Sequence, residues 1–132
     1  MAVAFTLDDV AYLTGPGQEA LAEVAARPLT DARRVSDIAW ARSRFGDRAA
    51  VLVETVLLRR RAVAKLAELG DVTGWLFTDE ALQQATAGAV AVHRARRLAG
   101  RVVHDATCSV GTELAALSNS GGSSSHLVGS DL

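Results

Sequence analysis

Past Gly100 the sequence changes its texture, and that change limits what the chain can fold into. Arg101-Val102-Val103-His104-Asp105 is a short β-rich run leading to a turn-rich segment, Thr107 to Gly111. A short helix, Thr112 to Leu117, follows, and then Ser118 to Ser125, which is all Ser, Asn and Gly and reads as a flexible loop. His126 to Ser130 reads as a second short strand. Strand, tight turn, helix, loop, strand is the opening of a parallel α/β sheet. It is only the opening, since two short strands do not form a stable sheet alone.

The preceding two thirds reads as helices. Thr6 is placed to cap a short helix, with Asp8 and Asp9 in the first turn, where carboxylates suit the positive end of the dipole. Gly15-Pro16-Gly17 breaks it, and Pro16 is positioned to start the next helix, Gln18 to Arg27, with Leu21, Val24 and Ala25 on one face. Pro28 stops that helix. Thr30 or Asp31 then caps a third, with Val35, Ile38 and Ala39 as its apolar side and Arg33, Arg34 and Asp37 as its wet one, and Phe45-Gly46 ends it. The longest helix runs from about Asp47 to Leu69, with an apolar stripe of Ala49, Leu52, Val53, Val56, Val63, Leu66 and Ala67, and Gly70 is its stop. A second unit begins near Trp75-Leu76-Phe77, with both tryptophans, Trp40 and Trp75, expected as core anchors. Thr78 caps a fifth helix, Asp79 to about Leu98, with Asp79 and Glu80 in its first turn and Arg94, Arg96 and Arg97 in its last. The expected organisation is a helical module over 1–74 and an α/β unit over 75–132.

At 132 residues the chain is one domain, or a small domain plus a piece of another. Its 14 basic and 15 acidic residues, net charge −1, give no global basic field for nucleic acid. The single cysteine, Cys108, excludes an internal disulfide and fits a reducing compartment. Met1 to Phe5 is apolar, but Asp8 and Asp9 follow at once and no basic leader precedes them. The longest helix is interrupted by Glu54 and Arg59-Arg60-Arg61, where a membrane span needs about 20 mostly apolar residues. A soluble, cytoplasmic protein without a membrane partner is expected.

The segment that carries chemistry is Val102 to Glu113. An apolar strand runs into an acid, Asp105, then small residues, then Gly111 at the mouth of a helix. Small residues let a ligand approach the backbone, and a helix start offers unpaired N–H groups. In open α/β sheets ligands bind beyond the carboxyl ends of strands. Asp131 stands at the end of the second strand, 20 residues after Gly111, the spacing at which an acid grips a ribose hydroxyl pair. Only one glycine of G-x-G-x-x-G is present, and the Gly-Lys-Ser/Thr of a P-loop is absent.

Asp105-Ala106-Thr107-Cys108-Ser109-Val110-Gly111 resembles motif I of class I S-adenosylmethionine-dependent methyltransferases. It is most similar to RNA-type members whose motif reads Asp-x-x-Cys-Gly-x-Gly, trimethylguanosine-synthase-like enzymes among them. Together with Leu76-Phe77-Thr78-Asp79-Glu80-Ala81-Leu82-Gln83-Gln84-Ala85-Thr86, it resembles an actinobacterial methyltransferase family. Members of that family have an N-terminal helical region, a methyltransferase domain and a C-terminal THUMP-like domain. The resemblance to the core fold covers about Trp75 to Leu132 and extends weakly across the helices.

That resemblance implies a mainly α N-terminal module followed by the start of a Rossmann-like α/β methyltransferase domain, truncated after its second strand. It implies S-adenosyl-L-methionine as cofactor and a nucleic-acid base, RNA before DNA, as methyl acceptor. Asp105 would sit near the methionine amine. Thr107, Cys108, Ser109 and Gly111 would wrap the sugar and carboxylate through backbone N–H groups. Asp131 would hold the ribose hydroxyls, and Phe77, Thr78 and Thr86 would flank the cofactor. Ser109 departs from the family's glycine, and Ser tolerates positive φ poorly. The family's Asn/Asp-Pro-Pro motif, which orients the acceptor, has no counterpart: both prolines, Pro16 and Pro28, lie in the N-terminal helices. Methyl transfer needs the acceptor lone pair aligned with the methyl group. The chain as given is therefore expected to be inactive and to bind cofactor weakly, with catalytic residues unassigned.

Other readings stand beside this one. Cys108 with His104 as base would be a nucleophile pair, but in-strand proximity is not triad geometry, and Cys commonly serves as a small buried residue. His93, His104, His126 and Cys108 lack zinc-ligand spacing, so no metal is expected. Arg59-Arg60-Arg61 and Arg94, Arg96, Arg97 with Arg101 are either solvated faces or phosphate contacts for RNA. An aromatic content of 5% leaves little for base stacking. Residues 1–75 could instead be a helical interaction module with a vestigial α/β segment, whose open strands self-associate. A nucleotide-binding α/β protein of another kind is the third possibility.

Overall fold

The computed structural model of the chain describes residues 3–120 and 126–131. Among them are seven α-helices: α1 (Leu7–Thr14), α2 (Gln18–Ala25), α3 (Arg34–Phe45), α4 (Ala49–Lys65), α5 (Asp79–Gln84), α6 (Gly88–Leu98) and α7 (Thr112–Asn119). Two strands, β1 (Val103–Asp105) and β2 (Leu127–Gly129), flank α7 in sequence. The chain divides into two compact units, Met1–Arg60 and Arg61–Leu132, with the division inside α4.

In the first unit Thr6 caps α1 as expected, through a reciprocal capping box. Its hydroxyl accepts the Asp9 N–H at 3.1 Å, and the Asp9 carboxylate accepts the Thr6 N–H at 2.9 Å. α2 ends at Ala25, short of the expected Arg27, because Arg27 turns toward α3. There the structure reverses an expectation. Asp37 does not lie on a wet face: it is 0% exposed, whereas Val35, on the expected apolar side, is 83% exposed.

The cause is the turn before α3. No cap forms at Thr30 or Asp31; the helix starts at Arg34, and Leu29 adopts φ 49°. Left-handed backbone is unfavourable for a leucine, and a buried N–H there needs an acceptor. Asp37 supplies it: Oδ2 accepts the Leu29 N–H at 2.9 Å, and Oδ1 accepts from the Arg27 guanidinium at 2.8 Å. Arg27 also lies 4.8 Å over the half-buried Trp40 ring, and Arg60 donates to the Ala25, Arg27 and Pro28 carbonyls. Around this turn α4 is buried on nearly every side, with Val51, Leu52, Val53, Thr55, Val56 and Leu58 all in the core. The expected stripe of α4 was too narrow there and too long beyond, where Val63 and Ala67 are exposed.

In the second unit the expected helix from Asp79 to Leu98 is two helices. Ala85 (φ −57°, ψ 135°) and Ala87 (φ −58°, ψ 141°) are extended, and Thr86 lies between them. The break lets α6 open with Gly88 against the Leu66 backbone, where an added Cβ would fall 3.2 Å from Leu66 Cα. Ala91 and Ala95, one turn apart, are buried on the α6 face that packs on α7, whose Ala116 and Leu117 are also buried. The Asn119 amide donates to the Leu69 carbonyl at 3.1 Å and fixes the end of α7. Ser118 and Asn119, expected in a flexible loop, belong to that helix; residues 121–125 of the expected loop lie outside the described residues.

β1 and β2 pair in parallel, with Val103 opposite Leu127, His104 opposite Val128 and Asp105 opposite Gly129. The strand–helix–strand order read from the sequence is thus present. No helix among the described residues is long and apolar enough to cross a membrane.

The buried Asp37 carboxyl is held below the ordinary carboxylate range, chiefly by the Leu29 N–H, with burial opposing and Arg27 assisting. A carboxyl lowered in the folded state contributes stability above its unfolded value of about 3.9 and loses it as pH falls through the lowered folded value. Thermal unfolding followed by circular dichroism from pH 7 to pH 2 should therefore show stability lost on the acid side. Asp37→Asn should unfold at lower temperature at pH 7 and lose less on acidification. A variant with the parent's full acid dependence would remove Asp37 as its source.

Candidate functional site

The site lies in the second unit, at the carboxyl ends of β1 and β2. Because the strands are parallel, Asp105 and Asp131 emerge at the same edge, and the loop from Ala106 to Gly111 passes between them. Both acids hold that loop. The Asp105 carboxylate accepts the Thr107 N–H at 3.1 Å, closing an Asx-type turn, and the Asp131 carboxylate accepts the Ser109 N–H at 3.1 Å. Backbone bonds complete the clamp: Ser130 N–H to Asp105 carbonyl at 2.9 Å, Cys108 N–H to Ser130 carbonyl at 3.1 Å, and Gly111 N–H to Cys108 carbonyl at 2.7 Å. His104 and Ser130 share a hydrogen bond of 2.8 Å between Nε2 and Oγ across the strands.

Ser109 does adopt the positive φ that its glycine-like position suggests, at 44°. Gly111 is left-handed, φ 79°, and caps α7 without a side-chain hydrogen bond. The first N–H groups of α7 thus have no side-chain cap and are suited to a negatively polarised group. By contrast, the N–H groups of Thr107, Cys108, Ser109 and Gly111 are already engaged within the chain. A ligand wrapped by those four would have to displace internal bonds.

Two clefts meet along this edge. One, of about 370 Å³, is lined by Asp105, Thr107, Thr86, His104, Arg94 and Glu113, with Leu98, Val103 and Leu117 among its apolar walls. The other, of about 470 Å³, is lined by Thr78, Glu80, Gln84, Thr107, Ser109 and Asp131. Thr107 and Gln84 belong to both, so the clefts adjoin. Six of the residues expected at the site, Asp105, Thr107, Ser109, Asp131, Thr78 and Thr86, therefore line one edge.

Three do not line it. Gly111 acts as the cap. Phe77 is buried and stacks on Trp75 with ring centroids 6.1 Å apart. Cys108 is half-buried and turned to β2, where its Sγ would lie 2.9 Å from a Cβ added to Gly129. The cysteine packs against the strand, and its Sγ donates to the Ser109 carbonyl at 3.9 Å. Among the described residues no group of His, Cys, Asp and Glu could hold a metal ion.

Sequence reasoning did not anticipate Glu80, Gln84, Arg94, His104 and Glu113 at the clefts. Gln84 and Thr86 are positioned by the break between α5 and α6, which the run of alanines conceals. Arg94 and Glu113 pair at 2.6 Å across α6 and α7, a contact signalled only by their opposite charges. Thr78 is set by a local rule: its hydroxyl accepts the Ala81 N–H at 3.1 Å and caps α5.

Paired parallel strands, acids at their carboxyl ends and a left-handed turn into a helix thus meet at one edge of the second unit. Comparison with known proteins gives the chain relatives. The chain is 77% identical over 79 residues to two proteins from two strains of Mycobacterium tuberculosis, each named an uncharacterized S-adenosylmethionine-dependent methyltransferase. The aligned segment is 58% of this chain and 22% of either relative, so the chain spans about a fifth of the length of the proteins it matches. No protein-family model matches the chain, and no solved structure matches it.

Two substitutions probe the clamp. Ser109→Gly removes a side chain from left-handed backbone and should raise the unfolding midpoint, by up to about 1–2 kcal/mol of stability. Gly129→Leu must displace Cys108 and Leu114, whose atoms would lie 2.9 Å and 2.5 Å from its Cβ, and should lower the midpoint. Equal midpoints for both variants and the parent would show that the turn is not seated on β2.

Proposed function

We propose that this chain supplies the cofactor-binding part of an S-adenosylmethionine-dependent methyltransferase whose acceptor is an RNA base. The observation that carries the reading is the placement of Asp105 and Asp131 on either side of one loop, at the same edge of a parallel strand pair. The name borne by the two mycobacterial relatives supports the cofactor class. The sheet is proposed as the first step of a Rossmann-like domain, and the THUMP-like portion as lying in the longer protein.

The donor set fits such a cofactor. Asp131, in the lining of the cleft it shares with Thr78, Glu80 and Ser109, would accept hydrogen bonds from a ribose diol. Asp105 is placed to take the amine of an amino-acid moiety. Thr107, Ser109, Thr78 and Thr86 supply short polar walls between the two, and Gly111 presents the start of α7. Phe77 and Cys108 act from behind, as packing for α5 and the loop. When bound, the cofactor supplies a methyl group on a sulfonium centre; these residues fix its orientation and leave alignment of the acceptor to the rest of the protein.

Isothermal titration of the chain with S-adenosylhomocysteine tests this, with ATP and NAD as competitors. Weak binding of S-adenosylhomocysteine, and none of the others, is expected. Asp131→Ala should weaken it by about 10- to 100-fold, the range for losing a hydrogen bond to a charged group. Preference for ATP or NAD, or indifference to the Asp131 substitution, would overturn the reading.

A further inference from the structure

Between Glu80 and Asp105 the chain contains no acidic residue, yet Arg94, Arg96, Arg97 and Arg101 crowd its last part. The fold gathers three of them. Arg94, Arg97 and Arg101 line, with Leu98, one recess of about 290 Å³ at the carboxyl end of α6, and among the described residues no carboxylate lines it. Arg94 is paired with Glu113, but among the described residues neither Arg97 nor Arg101 is in an ion pair. A helix carboxyl end carries only about half a negative charge, which one arginine would more than offset. The remaining positive charge faces an open recess.

Its position adds a second observation. Arg94 and Leu98 also line the cleft that contains Asp105, so the basic recess and the cleft adjoin. Guanidinium groups present paired N–H donors that match phosphate oxygens, and they keep their charge at any physiological pH. A base inside a duplex cannot reach a reacting group in a cleft, so a strand delivered here must be single or opened.

We propose that Arg97 and Arg101, with Arg94 at the boundary, bind the phosphodiester backbone of single-stranded RNA beside the cofactor cleft. The choice of RNA rests on the function proposed above; the anion site rests on the recess alone. Fluorescence anisotropy of the chain with a labelled single-stranded RNA, between 50 and 200 mM salt, tests it. Arg97→Gln/Arg101→Gln should bind about tenfold more weakly at the lowest salt. Its log K against log salt slope should fall by about 1.4, as expected for two lost phosphate contacts on a single strand. S-Adenosylhomocysteine binding should be unchanged. The charge-matched control Arg33→Gln/Arg34→Gln, on exposed residues of the first unit, should leave both untouched.

Equal loss in the control would reduce the effect to net charge and overturn the proposal, as would RNA binding indifferent to Arg97 and Arg101. Equal affinity for duplex DNA would overturn the assignment to single-stranded RNA. If S-adenosylhomocysteine does not bind while RNA binding still depends on the pair, the cofactor reading falls and the phosphate site stands.

Discussion

The parallel register of β1 and β2 governs the second unit. With Asp105 opposite Gly129, the next residues continue the pairing past the strand ends, Ser130 to Asp105 and Cys108 to Ser130. That continuation places Asp131 beside Ser109. A register shifted by one residue would turn Asp131 to the opposite face and leave the Ser109 N–H without its acceptor. Gly129 is the pivot because Cys108 and Leu114 pack where its side chain would be. Geometry at the site is thus a consequence of backbone pairing, with the acids as its visible ends.

The acids have a structural task as well as a candidate functional one. Each accepts a loop N–H, and together with the backbone bonds they organise the turn before any ligand is considered. Such a turn is preorganised, so a ligand need not bear the entropy of ordering it. The left-handed φ of Ser109 is the strain accepted for that order. Asp37 does the same in the first unit, where its carboxylate fixes the left-handed Leu29. In both units an acid stabilises a backbone conformation that its neighbours do not favour.

What the sequence revealed followed from local rules. Thr6 and Thr78 were legible as caps because an N-cap hydroxyl and the backbone N–H that donates to it lie three residues apart. Gly46, Gly70 and Gly111 were legible because each takes positive φ at a helix boundary, Gly70 after the 3-10 turn Ala67–Leu69 that follows α4. The strand–turn–helix–strand order and the edge position of Asp105, Thr107, Ser109 and Asp131 followed from the same kind of reading. What escaped depended on distant partners. Asp37 looked wet because nothing near it in sequence marks Arg27 and Leu29 as partners. The break after Gln84 escaped because Ala-Thr-Ala is compatible with a helix, and only the approach of Gly88 to Leu66 decides against one.

Net charge is silent on local features for a related reason. A chain of charge −1 has no global field, but surface potentials are local: at physiological salt, charges more than about 8 Å apart are largely screened from each other. Asp71, Asp79 and Glu80 precede α6 in sequence, and Glu113 engages a single arginine of it. They do not line the recess, so they do not neutralise it merely by balancing the total. The arrangement of acids outside residues 81–104, with arginines brought together at one end of a helix, therefore bears on the proposed anion site more directly than the total charge does. The total describes solubility; the recess is where the proposal would place an anion.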